Sequence, residues 1–172
     1  MAEASRQEAL RVKLWGRLSA LGLIFAGGTF AIDQAFKWWM LHVFDIEARQ
    51  PIALLPVLDI VLAWNRGISY GWLSGEAGLP PGVLVALALA ISAGLWVWLA
   101  RATLPLTAAA VGLILGGALA NAFDRAVYGA VADFFSFHLG DFDWYIFNLA
   151  DVAIVAGVGL LVYESLTQSQ GT

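Results

Sequence analysis

Three groups of polar side chains stand inside stretches that are otherwise apolar. Asn121, Asp124 and Arg125 follow a glycine- and alanine-rich run, Asn148 and Asp151 precede the apolar stretch to Tyr163, and Asp33 and Lys37 interrupt Leu18 to Phe44. On a helix, residues three and four apart are neighbours, so each group occupies one region of its helix surface. A charge at membrane depth costs at least about 2.5–3.5 kcal/mol, and a side chain held there at that cost is a functional candidate. Two carboxylates in one partly dry site cannot both ionise cheaply, so they titrate as a unit. The ionised member can take a proton from water while the protonated member donates a hydrogen bond to a carbonyl, and the roles then exchange. Asp124 and Asp151 are the candidate pair.

Each group also has a plainer reading. Asp124 and Arg125 could end a helix at the headgroups and pair with each other. Asn148 could cap a helix with Asp151 in its first turn, where the helix dipole favours a negative charge. Asp33 and Lys37 could form an intrahelical ion pair worth a few tenths of a kcal/mol. What favours chemistry is the coincidence of depth. Asp124 ends an outgoing apolar segment and Asp151 begins a returning one.

The elements that must carry these residues follow from composition. Of 172 residues, 60% are hydrophobic and 13% charged, and the mean hydropathy is +0.78. A water-soluble domain is about 25% charged. A helix crosses a bilayer core of about 30 Å with about 20 apolar residues. Spans are expected at about 18–41, 82–100, 104–123 and 147–165. The first follows Arg11, Lys13 and Arg17, as a cleaved signal peptide would, but the apolar character resumes beyond Lys37, so a retained span is expected. Four spans put both termini on one side, with Arg6, Arg11, Lys13, Arg17 and Arg101; the positive-inside rule makes that side cytoplasmic. The outer side holds Arg49, Arg66 and Arg125, with Lys37 near the border, and most of the acids: Asp45, Glu47, Asp59, Glu76, Asp124, Asp133, Asp141 and Asp143.

Two outer connections are long. Residues 43–76 contain extended-looking runs at Ile52 to Leu55 and Val57 to Trp64, and residues 130–146 read as a hairpin turning at Leu139-Gly140-Asp141. The fold class expected is an α-helical membrane protein of one domain over 1–172, with four transmembrane helices and a small β-sheet cradle on the outer surface. Trp38, Trp39, Trp64, Trp72, Trp144 and Tyr145 fall near that outer interface, where amphipathic rings concentrate. Gly112 and Gly116 form a G-x-x-x-G that lets another helix approach closely. The tail after Thr167 is polar and expected to be disordered.

Several chemistries are excluded. The chain has no cysteine and two histidines, His42 and His138, with no H-E-x-x-H, G-x-S-x-G, Walker A or G-x-G-x-x-G pattern. The net charge of −4 argues against nucleic acid as a partner.

The same residues resemble the lipoprotein signal peptidase (signal peptidase II) family along nearly the whole chain. Asp33-Gln34-Ala35-Phe36-Lys37 is similar to that family's D-Q-x-x-K, and Asn65-Arg66-Gly67-Ile68-Ser69-Tyr70-Gly71 to its N-x-G-x-[AS]-[FY]-G. The run from Gly116 to Arg125 is similar to G-G-A-L-G-N-x-x-D-R, with Ala120 in place of a glycine. Val131-Ala132-Asp133-Phe134 resembles V-x-D-[FY], and Phe147-Asn148-Leu149-Ala150-Asp151 resembles F-N-x-A-D. The resemblance implies an aspartic endopeptidase that removes signal peptides from bacterial prolipoproteins, cutting before a diacylglyceryl-cysteine. Asp124 and Asp151 would be catalytic; Asp33, Lys37, Asn65, Arg66, Asn121, Arg125 and Asn148 would bind substrate or support the pair. No metal or organic cofactor is implied. The partners implied are prolipoprotein signal peptides and membrane lipids, with a monomer in the bacterial inner membrane and the site near its periplasmic face.

Two other classes stay open on residues alone. A proton-coupled transporter could use Asp33, Lys37, Asp124 and Asp151 as a relay, but its acids should be spread through the bilayer, and these crowd one end. A structural membrane subunit would explain the hydrophobicity but not three polar groups at one depth.

Overall fold

The computed structural model describes residues 14–67, 79–140 and 142–169. Among the described residues, four helices are long and apolar enough to cross a membrane: α1 (Ser19–His42), α3 (Pro81–Arg101), α4 (Pro105–Tyr128) and α5 (Leu149–Ser169). A single turn, α2 (Ile46–Arg49), follows α1. Strands β1 (Ile52–Leu55), β2 (Leu58–Asn65), β3 (Val131–Leu139) and β4 (Phe142–Phe147) form one antiparallel sheet in that order. Four spans and a small sheet are the architecture expected from sequence. The turn at α2 was not expected; Asp45 enters it at φ 54°, in the left-handed region. The polar end of α5 stays helical to Ser169, past the expected boundary. Ile68-Ser69-Tyr70-Gly71, Trp72, Glu76, Asp141, and Arg6, Arg11 and Lys13 lie outside the described residues.

Local chemistry sets the helix ends. Pro81 and Pro105 stand in the first turns of α3 and α4, where a missing N–H costs nothing. Leu104, ahead of Pro105, is extended at φ −104° and ψ 135°, as a pre-proline residue prefers. Gly129 ends α4 at φ 72° and donates its N–H to the Arg125 carbonyl at 3.1 Å. At the start of α5, Asn148 Oδ1 accepts the Asp151 N–H at 2.9 Å while Asp151 Oδ2 accepts the Asn148 N–H at 3.3 Å. This is a reciprocal capping box.

Helix α4 is the centre of the bundle: 61% of its most apolar window is buried, against 11–22% for the other three. Small residues make that possible. A Cβ on Gly116 would collide with the Ala26 carbonyl of α1, and one on Gly117 would lie 2.5 Å from the Ala150 carbonyl of α5. The outward faces of α3 and α5 are apolar and exposed, with Val83, Leu87, Val158 and Val162 among them, as lipid contact requires.

The sheet packs on the end of α1. Met40, Ile46, Ala132 and Phe134 form a buried core with Phe36 and Ile60 packed against it. Side chains alternate along a strand. With Ala132 and Phe134 turned to that core, Val131 and Asp133 face the other way, toward α4 and α5.

Candidate active site

Two polar clusters sit where the sheet meets the bundle, joined by one asparagine. The first is a buried ion cluster between α1 and α4. Lys37 Nζ lies 2.8 Å from Asp33 Oδ2 and 2.7 Å from Asp124 Oδ2. Asp33 and Asp124 are fully buried and Lys37 is 2% exposed. The remaining carboxylate oxygens are also satisfied. Gln34 Nε2 donates to Asp124 Oδ1 at 2.8 Å, the Ala132 N–H reaches Asp124 Oδ2 at 3.3 Å, and the Ala150 N–H donates to Asp33 Oδ1 at 2.9 Å. These bonds tie α1 to α4 and to the start of α5, and α4 to β3.

The second cluster surrounds a cavity of about 260 Å³ lined by Asn65, Asn121, Arg125, Asp133, Tyr145 and Asp151, with Ala88, Ile91, Ala118, Val131 and Ile154 as its apolar wall. Asn121 Nδ2 donates to Asp151 Oδ1 at 2.8 Å. Asn148 Nδ2 donates to Asp133 Oδ1 at 2.6 Å and to Asn121 Oδ1 at 3.0 Å. Asn65 Nδ2 donates to Asp133 Oδ2 at 3.1 Å. Arg125 donates to the Gly67 carbonyl at 2.8 Å and so holds the strand end that carries Asn65. Burial pushes the Asp133 carboxyl up to about 7, and the neighbouring charge of Asp151 pushes it the same way. The site is marked by this convergence of acids and amides rather than by size. The larger groove of about 540 Å³ between α1, α3 and α4 is lined, among the described residues, by apolar side chains with no titratable group.

The expected site residues divide between the two clusters. Asp151, Asn65, Asn121 and Arg125 line the cavity, and Asn148 braces it from behind. Asp33, Lys37 and Asp124 form the ion cluster. Arg66 is exposed and is not among the cavity's lining residues. The sequence-based pairing of Asp124 with Asp151 does not match this geometry: the carboxylate that shares the cavity with Asp151 is Asp133. The reason is helical phase. At about 100° per residue, Asp124 and Arg125 lie on either side of Asn121, roughly 60° one way and 40° the other. Arg125 therefore faces the cavity and Asp124 faces α1. Sequence reasoning also passed over Gln34. For Asp133, the available signals were its place in the Val131-Ala132-Asp133-Phe134 motif and an acid in the middle of a run of strand-forming apolar residues.

Fold and site together define an integral membrane enzyme whose acids and amides gather at one end of the bundle. The family model described as Signal peptidase (SPase) II matches residues 25–167. Curated relatives include the lipoprotein signal peptidases of Methylocella silvestris, 55% identical and covering 88% of each chain, and of Beijerinckia indica, 51% identical over 87% of this chain and 90% of that one. Two solved structures described as bacterial membrane enzymes superpose with TM-scores of 0.75 and 0.70. They are 25% and 26% identical, and cover 88% and 84% of this chain and 90% and 92% of theirs. The chain belongs to the signal peptidase II family, and is an aspartic endopeptidase of lipoprotein processing.

Proposed function

We propose that Asp133 and Asp151 are the catalytic pair, that Asp124 braces the bundle through Lys37, and that the pair cuts prolipoproteins before a diacylglyceryl-cysteine. The observation that carries this reading is the shared cavity: Asp133 and Asp151 both line it, while Asp124 is buried and engaged by Lys37, Gln34 and a backbone N–H. In the reaction, the ionised carboxylate takes a proton from water as the water oxygen attacks the scissile carbonyl. The protonated carboxyl donates a hydrogen bond to the carbonyl oxygen. When the C–N bond breaks, a carboxyl proton goes to the leaving cysteine nitrogen and the pair returns to its starting charge. Asn121, Asn148 and Asn65 hold the acids, and the apolar wall limits bulk water. A slot of about 340 Å³ lined by Trp144, Phe147, Val152 and Val155 opens beside Asp151 and suits an apolar substrate segment.

The protein sits in the bacterial inner membrane as a monomer with both termini in the cytoplasm. Arg17 and Arg101 mark the cytoplasmic end, and exposed Trp38, Trp39, Trp64 and Trp144 mark the periplasmic interface. A lipid-anchored cysteine holds the scissile bond near that interface, at the depth of the sheet end of the bundle. The test is cleavage of a lipidated precursor peptide by purified Asp133→Asn, Asp151→Asn and Asp124→Asn variants. Loss of turnover by at least about 10³-fold in the first two, in folded protein, is expected. Wild-type turnover in Asp133→Asn would reject the pair.

A further inference from the structure

Lys37 touches neither catalytic carboxylate, yet it reaches the site through one amide. Its ammonium contacts Asp33 Oδ2, Asp124 Oδ2 and, at 3.4 Å, Asn121 Oδ1. An ammonium has three donors and no lone pair, so every partner must present an oxygen. The Asn121 amide therefore cannot turn its NH2 group toward Lys37 without opposing donor to donor. Asn148 Nδ2 holds the same Asn121 oxygen from the other side at 3.0 Å. With Oδ1 held twice, Asn121 Nδ2 is directed at Asp151 Oδ1, 2.8 Å away.

The two carboxyls of the cavity are thus held differently. Asp151 receives this amide and the Asn148 N–H, in the first turn of α5 where the helix dipole favours an anion. Asp133 stands on strand β3 and not in a helical turn. Its oxygens meet the neutral amides of Asn148 and Asn65. Among the described residues, Lys37, Arg125 and Asp133 are the charged groups acting on Asp151, and Asp151, Lys37 and Arg125 those acting on Asp133. Asp33 and Asp124 offset the Lys37 charge at close range. Lys37 thus acts on both carboxyls through its charge, and on Asp151 also through the orientation of Asn121.

We propose that Lys37 is a positioning residue that, by fixing the Asn121 amide, makes Asp151 the ionised member of the pair and leaves the shared proton on Asp133. This rests on the reading of Asp133 and Asp151 as the catalytic pair. The test separates orientation from charge. Replacing Lys37→Met together with Asp124→Asn removes one charge of each sign, so the net charge of the cluster is unchanged. The profile of kcat/KM against pH is then measured with a lipidated precursor peptide. Its acidic limb reports ionisation of the first carboxyl and its alkaline limb reports loss of the shared proton. The acidic limb is expected to move to higher pH by about one unit, a tenfold change in proton affinity. The alkaline limb should stay in place, and Lys37→Arg should keep the wild-type acidic limb. A profile lowered in height with both limbs in place would overturn the proposal. Should the double variant fail to fold, Asn121→Leu leaves the ion cluster intact and must shift the same limb; a wild-type limb there also overturns it. Full activity in Asp133→Asn would instead reject the pair itself, whatever the limbs do.

Discussion

Lys37 Nζ lies 2.7 Å from Asp124 Oδ2, joining α1 to α4 where both side chains are almost wholly buried. Breaking a buried ion pair by removing one partner leaves an uncompensated charge and costs about 3–5 kcal/mol. Lys37→Met leaves two buried carboxylates facing each other. It is expected to lower the thermal midpoint in detergent sharply. Restoring charge balance with Asp124→Asn should recover much of that loss. Equal midpoints for the single and double variants would contradict the role of this cluster as a brace.

Asp124→Asn alone separates bracing from catalysis. Asparagine keeps the volume and can still accept from Gln34, while Lys37 retains Asp33. The expectation is a less stable protein with measurable turnover, against a folded but inactive Asp133→Asn. Unfolding and single-turnover cleavage measured on both variants check the contrast.

The pH dependence follows from Asp133. Its carboxyl is raised from 3.8 to about 7, first by burial and then by Asp151. Between those values the folded protein holds a proton that the unfolded chain has released, so stability falls as pH rises from about 4 through about 7. Relative to Asp133→Asn, the wild type should lose stability across that window and not below it. Activity should show an alkaline limb near pH 7, where the shared proton leaves. Stability of the two proteins compared from pH 4 to 8, with a kcat/KM profile of the wild type, tests both statements.

At Gly117, α5 packs closely against α4. A Cβ there would lie 2.5 Å from the Ala150 carbonyl and 2.8 Å from the Ile154 side chain. Gly117→Val must push α5 away, and the residue after Ala150 is Asp151. Overpacking of this kind costs about 1–3 kcal/mol, but the larger effect should fall on kcat through a displaced carboxylate. A substitution at Gly94, which has open space around it, serves as the control and should leave kcat unchanged.

Asn148 serves fold and site together. Its Oδ1 caps α5, while its Nδ2 holds both Asp133 and Asn121. Asn148→Ala should cost about 1 kcal/mol through the lost cap and lower turnover through the two freed partners. Asn148→Ser, which can restore the cap but not the amide bridge, should recover stability without recovering activity. Recovery of both would show that the bridge to Asp133 is dispensable.

Much of this protein was legible along the chain because the controlling interactions are local. A stretch of about 20 apolar residues without a charge has few alternatives to a membrane span. The starts of α3 at Pro81 and α4 at Pro105 fall within a residue of the expected spans, whereas α4 runs on to Tyr128, past its expected end at 123. The Asn148-x-x-Asp151 spacing forms its capping box whatever packs around it. The hairpin at Gly140 and the runs at Ile52 to Leu55 and Val57 to Trp64 likewise come from turn chemistry and strand-forming side chains.

The partner of Asp151 was not determined locally. Asp124 and Asp133 are both acids near the sheet end of the bundle, and composition does not distinguish them. The choice was made by the phase of α4, which turns Asp124 to Lys37. It was made equally by the pairing of β2 with β3, which puts Ala132 in the core and Asp133 toward α5. Helix rotation and strand register are set by contacts between segments distant in sequence. Such contacts exist only once α1, α4, α5 and the sheet have packed, so only the tertiary structure decided which two carboxyls share a cavity.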